Sequence, residues 1–161
     1  MFRQLFRNRH MRDALSAAVV AGCGFALLGI TFVLDFLFNN VVDRIGQFFV
    51  SPGSDLVVPW FPTAKHVAFL AVIGMISLPI LRSRIGEIYK AIFLTVPVAV
   101  ALVTIGILLY RWQPFPYLVG AVFVFGTLAY LYRTRQSWLY YYAVIVVATS
   151  LMIFTLAGGD M

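Results

Sequence analysis

The sequence has very few charged residues for its length. Only 11% of its 161 residues are charged, whereas 62% are hydrophobic. A soluble domain carries about a quarter charged residues and less than half apolar ones, because its surface has to interact with water. This chain lacks that polar surface, and its composition therefore predicts an integral membrane protein.

Residues that bind metals or carry redox chemistry are also scarce. The chain contains one cysteine, Cys23, and two histidines, His10 and His66. A single cysteine excludes an intramolecular disulfide and a CxxC redox pair. Without several carboxylates these three residues are too few for a tetrahedral zinc site, and two histidines cannot supply the axial ligands of several haems. We predict no metal and no cofactor, and the sequence contains no HExxH, GxSxG or glycine-rich phosphate-binding motif.

Long uncharged stretches predict how the chain folds. A helix rises about 1.5 Å per residue, so about 20 apolar residues cross a hydrocarbon core of roughly 30 Å. We predict an all-α integral membrane protein with five transmembrane helices in a single domain over residues 1–161. The predicted spans cover residues 14–34, 64–81, 91–110, 115–132 and 138–157. The second span needs Lys65 to complete its length, which leaves a bundle of four spans as the alternative.

The basic residues predict the orientation of the chain. Nine Lys and Arg residues fall on one side of the five predicted spans, and only Arg44, Lys65 and Arg111 fall on the other. Because basic residues accumulate in cytoplasmic loops, we predict a multi-pass protein of the cell membrane with a cytoplasmic N-terminus and an external C-terminus. The net charge of +6 is then a topology signal, so the lipid bilayer and not nucleic acid is the predicted partner.

The first outer connection contains a predicted amphipathic helix over residues 41–50. Its apolar residues recur at helical spacing, with Asp43, Arg44 and Gln47 on the opposite face. The apolar residues are Val41, Val42, Ile45, Phe48 and Phe49. We expect this short helix to lie flat in the outer leaflet.

Polar residues near the outer ends of the spans form the candidate ligand-binding site. Ionisable groups beside hydrocarbon are costly unless they are paired or hydrated, so we expect them to meet one another or to line a hydrated vestibule. The candidates are Asp35, Asp43, Arg44, His66, Arg111 and Trp112. Asp35 directly follows the first span. It either binds a cation or a proton, pairs with a basic residue (Arg44, Lys65 or Arg111), or marks the boundary with water.

One face of the first span carries small residues four positions apart, namely Ala18, Gly22 and Ala26. Such a face allows another helix to approach closely. It predicts either packing against the protein's own spans or a contact in a homo- or hetero-oligomer.

No motif in the sequence specifies a reaction. The leading prediction is a small multi-span membrane protein without catalytic activity, which binds an apolar or amphipathic ligand or acts as a membrane subunit in transport. The alternatives are a membrane-embedded enzyme acting on a lipid at the outer leaflet, and a structural accessory subunit of a membrane complex. The enzyme requires Asp35, Asp43 and His66 to converge on one cavity.

Overall fold

The computed structural model describes residues 9–49, 61–112 and 114–156. Their regular secondary structure is entirely helical. The helices are α1 (Arg9–Phe49), α2 (Phe61–Arg82), α3 (Glu87–Leu109), α4 (Phe115–Arg133) and α5 (Trp138–Leu156). All five are long and apolar enough to cross a membrane. The prediction of an all-helical chain with five such helices is confirmed.

Short connections end one helix and begin the next. After α2, the Ser83 hydroxyl donates a hydrogen bond to the Ile80 carbonyl at 2.6 Å. Glu87 begins α3 with a negative charge at the positive end of the helix dipole. Pro116 lies in the first turn of α4, where a missing backbone N–H breaks no helical hydrogen bond. After α4, Arg135 takes a positive φ of 50° and reverses the chain toward α5.

Consecutive helices run in opposite directions. Phe38, late in α1, packs against Phe69, early in α2, with 5.5 Å between their ring centroids. Val20 of α1 packs in one cluster with Ala91 of α3 and Leu139 of α5, so the early parts of these three helices lie at the same level. One end of the bundle therefore holds the start of α1 and the connections α2–α3 and α4–α5. We call it the basic end, because Arg12, Arg82, Arg84, Lys90, Arg133 and Arg135 lie there.

Helix α3 lies at the centre of the bundle and contacts each of the other four helices. Around it, α1 contacts both α2 and α5, and α5 also contacts α4. The buried residues of α3 are mostly small or β-branched, which allows neighbours to approach from several sides. They are Ala91, Ile92, Thr95, Val96, Val98, Ala99, Ala101, Thr104 and Gly106.

Helix α1 continues where the sequence predicts two elements. Residues 41–49 do not form a separate interfacial helix but extend α1, which has 41 residues in all. At 1.5 Å per residue, α1 is about 61 Å long, twice the thickness of a hydrocarbon core. Residue 50, the last of the predicted interfacial helix, lies outside the described residues.

Two asparagine side chains bond to the backbone of α1 within this region. The Asn39 amide donates to the Asp35 carbonyl at 2.9 Å, and the Asn40 amide donates to the Phe36 carbonyl at 2.8 Å. Each bond joins neighbouring turns of the same helix. Neither glycine nor proline interrupts residues 35–45, so the polar residues that predict the end of a span do not end the helix.

Two glycines of α1 have opposite surroundings. A Cβ atom at Gly24 would lie 3.0 Å from Cγ2 of Thr95, whereas a Cβ atom at Gly22 would have no neighbour within 4 Å. Gly24 thus allows the close approach of α1 to α3. Gly22 belongs to the predicted small-residue face, and the structure leaves Ala18, Gly22 and Ala26 exposed instead of packed against the described helices.

We predict that spin labels at residues 25 and 45 will show α1 to be one straight helix. Both native side chains are about half exposed, and twenty residues of helix separate their Cα atoms by about 30 Å. The labels are introduced as cysteines in a Cys23→Ser background, and the distance is measured by double electron–electron resonance in lipid nanodiscs. A pair at residues 118 and 132 of α4, about 21 Å apart, is the control. A distance near 22 Å between residues 25 and 45 would indicate a sharp bend and contradict the continuous helix.

We also predict that Gly24→Ala lowers the thermal stability in detergent, whereas Gly22→Ala does not. The new methyl group at residue 24 displaces Thr95, which is buried and whose hydroxyl is bonded to the Ile92 carbonyl at 2.6 Å. At residue 22 the methyl group meets open space, and alanine favours a helix by up to about 1 kcal/mol over glycine. Adding Thr95→Ser, which removes the opposing methyl group, should restore stability to Gly24→Ala. Equal melting temperatures for the two single variants would show that Gly24 does not set the distance between α1 and α3.

Candidate functional site

A pocket lies between α1, α2 and α3, toward the end of the bundle opposite the basic end. Thr104 in its wall precedes the last residue of α3 by five positions, or about 7 Å. The apolar lining residues are Leu28, Phe32, Phe69, Ala99, Val100 and Val103, and the polar ones are Thr31, Asp35, His66 and Thr104. The cavity volume is about 30 Å³, and the empty space reaches about 380 Å³ when the open mouth is counted. The pocket has room for one or two groups the size of water.

Asp35 and His66 face each other across this pocket from α1 and α2. The distance from Nδ1 of His66 to Oδ1 of Asp35 is 3.9 Å, and each side chain is 26% exposed. This distance is too long for a hydrogen bond. Oδ1 of Asp35 is itself buried and accepts no hydrogen bond within the described part of the chain. Leaving a buried acceptor without a donor costs about 1–3 kcal/mol, and more when the group is charged.

The two threonines of the pocket have already used their hydroxyl hydrogens. Thr31 donates to the Leu27 carbonyl at 2.8 Å, and Thr104 donates to the Val100 carbonyl at 2.7 Å. A hydroxyl oxygen that donates its hydrogen still has lone pairs with which it accepts hydrogen bonds. The pocket therefore combines apolar walls with polar groups that mainly accept.

A second unsatisfied acceptor lies one turn along α1. Oδ1 of Asn39 is buried and has no hydrogen-bond partner among the described residues, although the Nδ2 group of Asn39 bonds to the Asp35 carbonyl. Asp35 and Asn39 thus place two buried oxygens on the same side of α1, where neighbouring turns of a helix meet.

Asp43 belongs to a different interaction. Nζ of Lys65 donates to both carboxylate oxygens of Asp43, at 2.8 and 3.0 Å. The Asp43 side chain is 48% exposed and that of Lys65 is 14% exposed. An ion pair this open to solvent contributes about 0–1 kcal/mol. It joins α1 to α2 about 12 Å along α1 from Asp35, and Asp43 is not among the residues that line the pocket.

The other three predicted site residues lie away from the pocket. Arg44 is exposed on α1, and Arg111 and Trp112 are exposed in the connection between α3 and α4. The Trp112 ring lies edge-on to Phe115, with 6.1 Å between the ring centroids. Of the six predicted residues, the structure thus brings Asp35 and His66 together and keeps the other four apart from them.

Sequence reasoning missed Thr31 and Thr104. Thr31 lies one helical turn before Asp35, on the same face of the helix. It could therefore have been identified from the sequence once Asp35 was chosen as a candidate. Thr104 lies on another helix within a long apolar run, and threonines are common in such runs because their hydroxyls bond to their own helix. Nothing in the sequence distinguishes Thr104 from the other threonines.

The composition of the site gives no indication of a bound metal. Within the described residues, no group of three or more His, Cys, Asp or Glu side chains could hold a metal ion. Comparison of the chain with protein-family models, with curated proteins and with solved structures finds no match. The chemistry of the pocket itself is therefore the basis for inferring a function.

Proposed function

We propose that this chain is a multi-pass membrane protein without catalytic activity that binds an apolar or amphipathic ligand in the pocket between α1, α2 and α3. The observation that carries the proposal is the buried oxygen of Asp35, which lacks a donor at the polar end of an otherwise apolar pocket. Ligand sites commonly combine apolar walls with a few polar groups that fix the orientation of the ligand. The same binding step would serve a membrane subunit in transport.

Insertion into a membrane is supported by what the helices expose. Large apolar side chains cover much of the surface, and on α4 Val122 is 64% and Phe125 is 70% exposed. Contiguous apolar surface of this extent is unfavourable in water but is solvated well by lipid. The basic end is then cytoplasmic by the positive-inside rule, so the pocket opens toward the outer leaflet of the cell membrane and the C-terminus is external.

The contacts of Asp43 favour binding over lipid chemistry. The enzyme alternative requires Asp35, Asp43 and His66 at one cavity, but Asp43 is bonded to Lys65 outside the pocket. The role of a structural accessory subunit agrees with the exposed Ala18, Gly22 and Ala26 face but gives no account of the unsatisfied carboxylate.

We predict the orientation from cysteine labelling at residues 112 and 136. Trp112 and Gln136 are exposed at opposite ends of the bundle. In a Cys23→Ser background, a membrane-impermeant maleimide should label a cysteine at residue 112 on intact cells, and a cysteine at residue 136 only after permeabilisation. The reverse pattern would place the pocket toward the cytoplasm.

We further predict that Val103→Phe abolishes ligand binding, because the larger side chain fills the pocket. The probes are decanol and decylamine, titrated into protein in phosphatidylcholine nanodiscs. His10→Gln leaves His66 as the only histidine, so that the NMR signal of its labelled ring reports on the pocket directly. At least one probe should move this signal saturably, and Val103→Phe should prevent the shift.

Val122→Phe is the matched control for this experiment. It makes the same substitution on the exposed face of α4, away from the pocket, so the saturable shift should persist. If neither probe gives a saturable shift, or if both valine variants bind equally well, the pocket is not the binding site.

A further inference from the structure

The polar groups of the pocket specify the headgroup of its ligand. We propose that the ligand is an amphipathic primary amine whose ammonium group binds between Asp35 and His66, with its apolar chain extending through the open mouth. This proposal rests on the proposed function, since it concerns the same pocket.

The first argument is the match between donors and acceptors. An alkylammonium group offers three N–H donors and no acceptor. Oδ1 of Asp35 is a buried acceptor without a donor, and Nδ1 of a neutral His66 offers a lone pair when the ring proton is on Nε2. These atoms are 3.9 Å apart, so one nitrogen atom fits within hydrogen-bond distance of both. The hydroxyl oxygens of Thr31 and Thr104 remain available as acceptors for the third N–H.

The second argument is size. The pocket offers about 30 Å³ to water-sized groups, which is enough for a group comparable to a water molecule, as an ammonium group is. A trimethylammonium group is bulkier and has no N–H donor. The rest of the lining is mostly apolar. Phe32 lines the pocket and is 57% exposed, so an alkyl chain that passes this ring emerges on the lipid-facing surface of α1.

The third argument is charge. The Asp35 carboxylate attracts a cation and repels an anionic headgroup such as a fatty acid carboxylate. A neutral hydroxyl satisfies the buried oxygen but leaves its charge uncompensated. An inorganic cation needs several oxygen ligands, whereas six of the ten lining residues are apolar. A cation with N–H donors matches the polar groups of the pocket, and its apolar chain matches the apolar walls.

The experiment compares four probes of equal chain length by the His66 NMR signal in the His10→Gln protein. They are decylamine, decyltrimethylammonium, decanol and decanoate, with sodium and potassium chloride titrated separately. Decylamine should bind at least about tenfold more tightly than decanol or decyltrimethylammonium, because hydrogen bonds between charged groups are worth at least that ratio. This ranking of the probe affinities tests the proposal in a protein whose pocket residues are unaltered.

Variants on α1 then assign the preference to one carboxylate. Asp35→Asn should reduce the affinity for decylamine to that for decanol and leave decanol binding unchanged. Asp43→Asn removes the same charge from the same helix outside the pocket, so it should retain the preference for decylamine. Asp35→Ser is a second variant for use if Asp35→Asn fails to fold.

The other outcomes would contradict either the amine alone or the proposed function as well. Equal binding of decanol and decylamine, both lost in Val103→Phe, would refute the amine and leave the proposed function intact. Tighter binding of decanoate, or a saturable shift with sodium or potassium chloride alone, would likewise replace the amine by another ligand class. If neither decanol nor decylamine shifts the His66 signal saturably, the amine and the proposed function both fail.

Discussion

Close packing against α3 is the constraint on which the rest of this structure depends. Each of the other four helices contacts α3, and the residues that make this possible are small or β-branched. In lipid, burial of apolar surface contributes little to association between helices, so van der Waals contact at short distance has to replace it. Gly24 facing Thr95 is the tightest example, since a single methyl group would intrude there. The pocket lies between three of these helices, α1, α2 and α3.

Two carboxylates of α1, Asp35 and Asp43, differ in their exposure and in their partners. Asp43 is half exposed and bonded to Lys65, whereas Asp35 is deeper and its buried oxygen lacks a partner. A buried charged group is costly unless it is paired or hydrogen-bonded. The difference between these two carboxylates is the reason for proposing Asp35, and not Asp43, as the group that binds a ligand.

The sequence was sufficient for the helices, because each span needs about 20 apolar residues, although the shorter second run left a bundle of four spans as the alternative. The fourth helix was predicted over residues 115–132 and is observed over Phe115–Arg133. The first predicted span ends at residue 34, but the helix continues to Phe49. In this region Asn39 and Asn40 bond to the preceding turn and do not interrupt the helix. Asp35 and His66 were both predicted as site residues, but the sequence did not predict that these two of the six candidates face each other. Which residues meet depends on how α1 crosses α2, and hydropathy contains no information about that angle.

Because α1 is long, a small change in its angle to α3 displaces the residues that lie far from their contact at Gly24. Helix α1 packs closely against α3 at Gly24, and Asp35 lies eleven residues farther along, about 16 Å from that point. If α1 tilts about Gly24 by about 3°, a rigid helix moves Asp35 sideways by about 0.8 Å. The gap between Asp35 and His66 is 3.9 Å, and a displacement of this size toward α2 brings the two atoms within hydrogen-bonding distance. The distance between Asp35 and His66 is therefore sensitive to a change of a few degrees in the tilt of α1.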